Sequence, residues 1–263
     1  MPIGLDVNLD EIRDKLVYTI MNGGLATGQG LIPIVVAVAL PALVGNAIKS
    51  VGYSFRVSEL LGVNSVTTPA VDQGAGMFAS LVVLIGYMYV LNEDSLIHDV
   101  NFEIKHLAWV VVGFVGLILV NSGLSFVSTL FDVAIGQNIG VSDSPDNPLY
   151  FLYLVPVMIL FVGPLEELMF RGLLQGSYRQ YFSKTSAVLT AGIVFGAFHF
   201  TAIDGSALGT LVYILITVAL GIILGFIYER TENIFVPMLV HGLYNSLLLI
   251  IRYNEETMNL ITL

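Results

Sequence analysis

The sequence predicts an all-α, polytopic transmembrane helix bundle of about seven to eight spans with an N-terminal amphipathic helix. Of its 263 residues, 56% are hydrophobic and only 11% are charged, against about 25% in ordinary globular domains. The mean hydropathy is +0.86. Long uninterrupted apolar runs favour helical spans, because the strands of a β-barrel would show short alternating segments instead. We therefore expect a multi-pass integral membrane protein of the cell membrane.

Charge and cysteine content exclude several other classes of protein. Ten Lys and Arg residues against twenty Asp and Glu residues give a net charge of −10. Such a chain has no basic surface to neutralise phosphates, so we expect no nucleic-acid partner. The absence of cysteine excludes a disulfide framework, a thiolate metal site and a cysteine nucleophile.

The first element is an amphipathic helix within residues 1–30, which contain no run long enough to span a bilayer. Four apolar residues recur there at helical spacing, and charged residues occupy the remaining positions of the wheel: Leu9, Ile12, Leu16 and Ile20 form the apolar face. A helix of this kind lies in the membrane interface. Residues 31–263 contain no repeat or linker and are predicted to form one transmembrane bundle.

Seven apolar runs are long enough to cross about 30 Å of hydrocarbon. They lie near 31–48, 75–91, 107–131, 149–180, 186–202, 208–228 and 234–252. The fourth run is interrupted by a charged patch near its middle. An eighth span would result if the segment 51–74 or the N-terminal helix entered the membrane.

Three charged residues lie inside a predicted span. Glu166, Glu167 and Arg171 occupy the fourth run, where ionisable side chains cost several kcal/mol and therefore indicate function. Glu167 and Arg171 are four residues apart, on one helical face, and are predicted to form an ion pair that supports the structure. Glu166 points about 100° away from them and remains available for chemistry. The alternative is that this patch ends a span and is solvated.

Two histidines lie inside other apolar runs. His199 is in the fifth run and His241 is in the seventh, with Asn245 one helical turn further on. If the fourth and fifth runs form a hairpin, a rise of 1.5 Å per residue puts Glu166 and His199 at similar depth, and the seventh run brings His241 and Asn245 to that level. The other histidines, His98 and His106, lie in the polar segment 92–106 and are expected to be solvated.

A carboxylate, two imidazoles and an amide among apolar helices suit hydrolysis of an acyl bond. Glu166 would activate water, and His199 would share that water or protonate the leaving amine. His241 and Asn245 would donate to the developing oxyanion. The alternative is a zinc site of Glu166, His199 and His241 with an open fourth position. Against zinc, the chain lacks an H-E-x-x-H motif and Asn245 is a poor zinc ligand, so we predict no cofactor.

The motifs Glu166-Glu167-x-x-x-Arg171, Phe195-x-x-x-His199 and His241-x-x-x-Asn245 resemble those of the CPBP family, the CAAX prenyl protease and bacteriocin-processing proteins. The resemblance covers about 149–250, which we take as the catalytic core. It implies a bundle of about eight helices around a cavity, with Glu166 and His199 activating water. It also implies an oxyanion hole formed by His241 and Asn245, and Phe195 would belong to the support of the site with Glu167 and Arg171.

The leading functional hypothesis is therefore an intramembrane glutamate-type endopeptidase that cuts a peptide bond near the membrane face. The resemblance implies a peptide or prenylated protein as substrate, such as the C-terminal tripeptide of a CAAX protein, with the lipid bilayer as surroundings. One alternative is a non-catalytic membrane scaffold or a bacteriocin-immunity protein of the same family. Another is a small transporter that relays protons through Glu166 and the histidines, although the chain shows no repeat of the kind typical of transporters.

Overall fold

The computed structural model describes residues 68–91, 97, 101–138 and 147–262, and this part of the chain is a helix bundle. Its elements, in chain order, are α1 Thr68–Leu91, α2 Ile104–Leu130, β1 Gln137–Asn138, α3 Leu149–Arg179, α4 Lys184–Phe198, the 3₁₀ turn His199–Ala202, β2 Ile203–Asp204, α5 Ala207–Thr231 and α6 Phe235–Thr262. Five of the described helices, all except α4, are long and apolar enough to cross a membrane.

The predicted class is confirmed, but the described region contains five such helices instead of seven or eight. The six predicted runs from 75–91 onward each correspond to one of the helices α1 to α6. The predicted N-terminal helix in 1–30 and the predicted span 31–48 lie outside the described residues. The predicted single domain over 31–263 stays a prediction.

The fifth predicted run, 186–202, is shorter than expected for a span. Helix α4 has 15 residues and passes into the 3₁₀ turn at His199. The reason lies in the histidine side chain, because its Nδ1 lies 2.8 Å from the carbonyl oxygen of Phe195, the acceptor that the next α-helical N–H would use. The end of α4 thus places His199 at the start of an irregular connection.

Helix α3 carries the three charged residues and is interrupted by two π-helical segments, Met158–Val162 and Leu168–Gln175. Pro156 and Pro164 lack the N–H that would continue the α-helical ladder, so carbonyls near them must find other partners. Such π segments occur often at functional sites because they shift the register of the side chains around them. Here they flank Glu166 and Glu167 on both sides.

Helices α3 and α6 pack closely through a pair of glycines. A Cβ atom on Gly163 would lie 2.8 Å from the carbonyl oxygen of Met238, and one on Gly242 would lie 2.8 Å from the Cα of Ile159. Small residues permit such close backbone approach in membrane proteins, where packing drives helix association. The contact brings the charged turn of α3 next to His241 of α6.

Two local features differ from the predicted pattern. Strands β1 and β2 pair antiparallel, with Gln137 opposite Asp204, although no strand was predicted. His106, expected to be solvated, is instead buried near the start of α2, and its Nδ1 accepts a hydrogen bond from the backbone N–H of Glu103. That reciprocal capping satisfies a helix N-terminus and gives the ring a structural role.

Candidate active site

The centre of the site is a buried ion pair between Glu167 and Arg171. Arg171 Nε lies 3.1 Å from Glu167 Oε2, and its Nη1 lies 3.2 Å from Glu167 Oε1. Its Nη2 donates to the carbonyl oxygen of Gly221 at 2.8 Å, and the guanidinium lies 4.7 Å from the ring centroid of Phe195. Both charged side chains are almost completely buried. The guanidinium therefore joins α3, α4 and α5, and the predicted ion pair is present.

Glu167 also holds the imidazole of His241. Its Oε1 lies 2.7 Å from His241 Nδ1. A carboxylate that is paired with arginine is an acceptor only, so Nδ1 must carry the hydrogen of this bond. The opposite nitrogen, Nε2, is thereby directed at Glu166, 3.9 Å from its Oε2. Glu167 orients the histidine as well as pairing with the arginine.

His199 is oriented in the same way by a backbone group. Its Nδ1 lies 2.8 Å from the carbonyl oxygen of Phe195, which can only accept, so Nδ1 is again the donor. Its Nε2 lies 4.0 Å from Glu166 Oε2. The ring of Phe195 packs against both imidazoles, with centroid separations of 4.8 Å to His199 and 5.8 Å to His241.

Glu166 thus lies between two imidazole nitrogens without a direct hydrogen bond to either. Its side chain is 20% exposed, whereas Glu167 is completely buried. A water could lie about 2.8 Å from both the carboxylate oxygen and one ring nitrogen. The angle between its two hydrogen bonds would then be about 90°, which a bridging water tolerates. The spacing therefore suits a water held between carboxylate and imidazole.

The cavity in front of these groups has a volume of about 520 Å³. Glu166, His199, His241 and Asn245 all line it, so the structure brings the four predicted catalytic residues to one cavity. Much of the remaining wall is aliphatic, from α2, α3, α5 and α6, and includes Leu117, Val162, Ile216, Leu220, Leu224, Leu248 and Leu249. An apolar pocket with a few convergent polar groups is typical of ligand sites.

The zinc alternative depends on the spacing of its three donors. Tetrahedral zinc with bonds of about 2.0–2.2 Å holds neighbouring donor atoms about 3.3–3.5 Å apart. Glu166 Oε2 is 4.0 Å and 3.9 Å from the Nε2 atoms of His199 and His241, and among the described residues no group of three His, Cys, Asp or Glu side chains is arranged for a metal. The Nδ1 partners resemble those of metal-bound histidines, and a zinc ion would require Glu166 Oε2 to lie about 0.5 Å closer to each Nε2 than it does here.

Sequence reasoning missed several polar residues of the cavity, including one hydrogen-bonded pair. Tyr213 of α5 lines the cavity and is hydrogen-bonded to the side chain of Asn138, which belongs to β1. A tyrosine in a predicted span is normally assigned to the membrane interface, and nothing in the local sequence relates Asn138 to a helix 75 residues later. The pairing of β1 with β2 brings the two together.

Comparison with known proteins bears directly on this site. Residues 148–247 match the family "Type II CAAX prenyl endopeptidase Rce1-like". This segment therefore resembles that family. This match includes all seven residues predicted for the site or its support, and the resemblance to CAAX-type proteases is confirmed over it.

Two proteins of Bacillus subtilis (strain 168) resemble the chain. "Putative membrane peptidase YdiL" is 26% identical over 179 residues, which are 66% of this chain and 68% of that protein. "Uncharacterized protein YpbD" is 33% identical over 89 residues, which are 34% of this chain and 40% of that protein. No solved structure matches the chain significantly. The resemblance of residues 148–247 to this family and the five long apolar helices together support an integral membrane protein.

Proposed function

We propose that this chain is an intramembrane endopeptidase that hydrolyses a peptide bond with water activated by Glu166. The observation that carries the proposal is the position of the Glu166 carboxylate, 4.0 Å from His199 Nε2 and 3.9 Å from His241 Nε2 in one cavity. The Rce1-like match supports the protease and does not favour the non-catalytic alternative.

In the proposed reaction, a water donates one hydrogen to Glu166 Oε2 and the other to His199 Nε2. Its oxygen attacks the scissile carbonyl carbon while its proton passes to Glu166, which gives a tetrahedral oxyanion. The oxyanion then collapses, the C–N bond breaks, and the proton is delivered through Glu166 or His199 to the leaving amine. The products are a carboxylate and a free amine, and no step requires a further reactant.

The oxyanion would be stabilised by His241 and Asn245. Since Nδ1 of His241 already donates to Glu167, Nε2 can donate only when the ring is protonated. Two carboxylates, Glu166 and Glu167, against one Arg171 leave one uncompensated negative charge in a largely buried cluster. A protonated His241 would make the cluster neutral, which low-polarity surroundings strongly favour. Asn245 adds its amide from the next turn of α6.

As substrate class we propose a peptide at the C-terminus of a prenylated CAAX-type protein. The family description names a CAAX prenyl endopeptidase, and the cavity combines the polar wall with a long aliphatic wall. An aliphatic wall suits a lipid chain because burying apolar surface is favourable by about 25 cal/mol per Å².

The test is hydrolysis of a prenylated, internally quenched CAAX peptide by the purified chain in detergent. Glu166→Gln and His199→Ala should each lower kcat by at least about a hundredfold, because each removes a group that handles the proton. The control is Glu103→Gln, an exposed carboxylate at the start of α2 that does not line the cavity. Wild-type turnover in both Glu166→Gln and His199→Ala would contradict the mechanism.

A further inference from the structure

One positively charged side chain lines the cavity and has no part in the proposed chemistry. Apart from the histidines, two of the described residues that line the cavity carry a formal charge, Glu166 and Arg252. Arg252 follows His241 and Asn245 on α6 at positions that share one helical face, and Leu248 and Leu249 line the cavity between them. The cavity therefore has the Glu166 carboxylate of α3 next to His241, and the Arg252 guanidinium further along α6.

The distance between the two ends follows from helix geometry. Arg252 is seven residues beyond Asn245 and eleven beyond His241, which at 1.5 Å per residue is about 10 Å and 16 Å along the axis. An extended peptide advances about 3.3–3.6 Å per residue. Three to five residues thus separate a carbonyl held at His241 and Asn245 from a group held at Arg252.

The guanidinium of Arg252 is held but not fully used. Its Nη2 lies 2.8 Å from Glu256 Oε1, whereas its Nη1 lies 3.7 Å from Glu255 Oε2, beyond hydrogen-bond range. The Glu255 side chain is 57% exposed, so this second pair is screened and weak. Glu256 orients the planar fork and leaves its Nη1 edge able to receive another carboxylate.

We infer that Arg252 binds the C-terminal carboxylate of the substrate, and thereby sets the length of the C-terminal peptide that is released. The inference rests on the proposed function, and it adds a specificity-determining residue to it. Polar side chains of two other helices, Gln73 of α1 with Asn121 and Ser125 of α2, line the same cavity and offer further hydrogen bonds to a bound peptide. The released fragment should contain three to five residues.

The experiment compares two prenylated peptides that differ only at the C-terminus, a free acid and a carboxamide. The wild-type chain should cleave the acid with a kcat/KM about 10- to 100-fold higher, the range expected for a charge-assisted hydrogen bond. Arg252→Gln should lower kcat/KM for the acid to the value for the amide, and should leave kcat/KM for the amide unchanged. Arg252→Lys should retain part of the preference for the acid. Mass spectrometry of the products gives the fragment length.

The matched control is Arg230→Gln, which removes an exposed arginine of α5 that does not line the cavity. It should keep the preference for the acid. Equal cleavage of acid and amide by the wild-type chain, or an unchanged preference in Arg252→Gln, would overturn the inference. The first of these needs no variant, so a failure of Arg252→Gln to fold would leave the test intact.

Binding to the Glu166→Gln variant separates this inference from the proposed function. If that variant binds the acid more tightly than the amide through Arg252, while the wild-type chain hydrolyses neither, the carboxylate site stands and the protease proposal fails. If both peptides are hydrolysed equally, the protease proposal stands and the carboxylate site fails. Absence of both binding and hydrolysis would overturn both.

Discussion

Replacing Arg171 by methionine tests the buried network on which the site depends. The substitution keeps a long side chain in the α3–α4–α5 interface but removes the guanidinium. Glu167 would then be left with His241 as its remaining partner in the described network, at a position with no solvent exposure. The loss of the arginine is strongly destabilising, because the two carboxylates Glu166 and Glu167 would then face at most one cation, His241, and no water reaches Glu167.

The expected magnitude follows from the contacts that disappear. Removal of one partner of a buried pair costs about 3–5 kcal/mol. The hydrogen bond to the Gly221 carbonyl and the stacking on Phe195 contribute about 1 kcal/mol each, but these terms overlap with the ion pair and are not added. We therefore expect Arg171→Met to lower the free energy of unfolding by about 3–5 kcal/mol.

The assay is denaturant unfolding in detergent micelles of the single variants and of the double variant Arg171→Met/Glu167→Gln. Because the double variant contains no unpaired charge, it should be more stable than the sum of the single effects predicts, by about 1–3 kcal/mol. Arg230→Gln, at an exposed arginine, should change stability by less than about 0.5 kcal/mol. Strict additivity of the two substitutions would refute the argument from a buried, mutually dependent pair.

Two further predictions concern helix packing and metal. Gly163→Ala should lower the free energy of unfolding by about 1–3 kcal/mol and reduce turnover, because the new Cβ would lie 2.8 Å from the backbone oxygen of Met238. Gly116→Ala, where a Cβ meets nothing within 4 Å, should be neutral or stabilising in the same denaturant-unfolding assay. Equal effects of the two substitutions would contradict this view of the α3–α6 contact. A strong chelator should leave hydrolysis unchanged in protein without stoichiometric zinc; loss of activity that zinc alone restores would instead favour the Glu166, His199 and His241 metal site.

Several features could be predicted from the sequence because they depend on composition or on local helical spacing. Apolar runs predicted α1 to α6, since the bilayer thickness sets how many consecutive apolar residues a span requires. The four-residue spacing of Glu167 and Arg171 predicted their ion pair. A common depth for Glu166 and His199 followed from counting residues, because rise per residue is nearly constant in a helix.

Other features could not be predicted from spacing along one helix. The π segments of α3 change its register, the side chain of His199 ends α4 early, and the β1–β2 pair brings Asn138 to the cavity. His106 was wrongly expected to be solvated, because a polar neighbourhood in sequence does not reveal that a ring caps a helix in a buried position.

The sequence by itself determined the residue types and their depths: a carboxylate, two imidazoles and an amide among apolar helices. Tertiary structure decided which atom faces which. The close packing of Gly163 against α6 brings Glu167 to His241 Nδ1, and only that contact directs Nε2 at Glu166. Arg252 also lines the cavity, a position that no pattern in the sequence indicated. The depth of a side chain follows from its position along one helix. The rotation of that helix and the neighbours of the side chain are decided by the interfaces between helices.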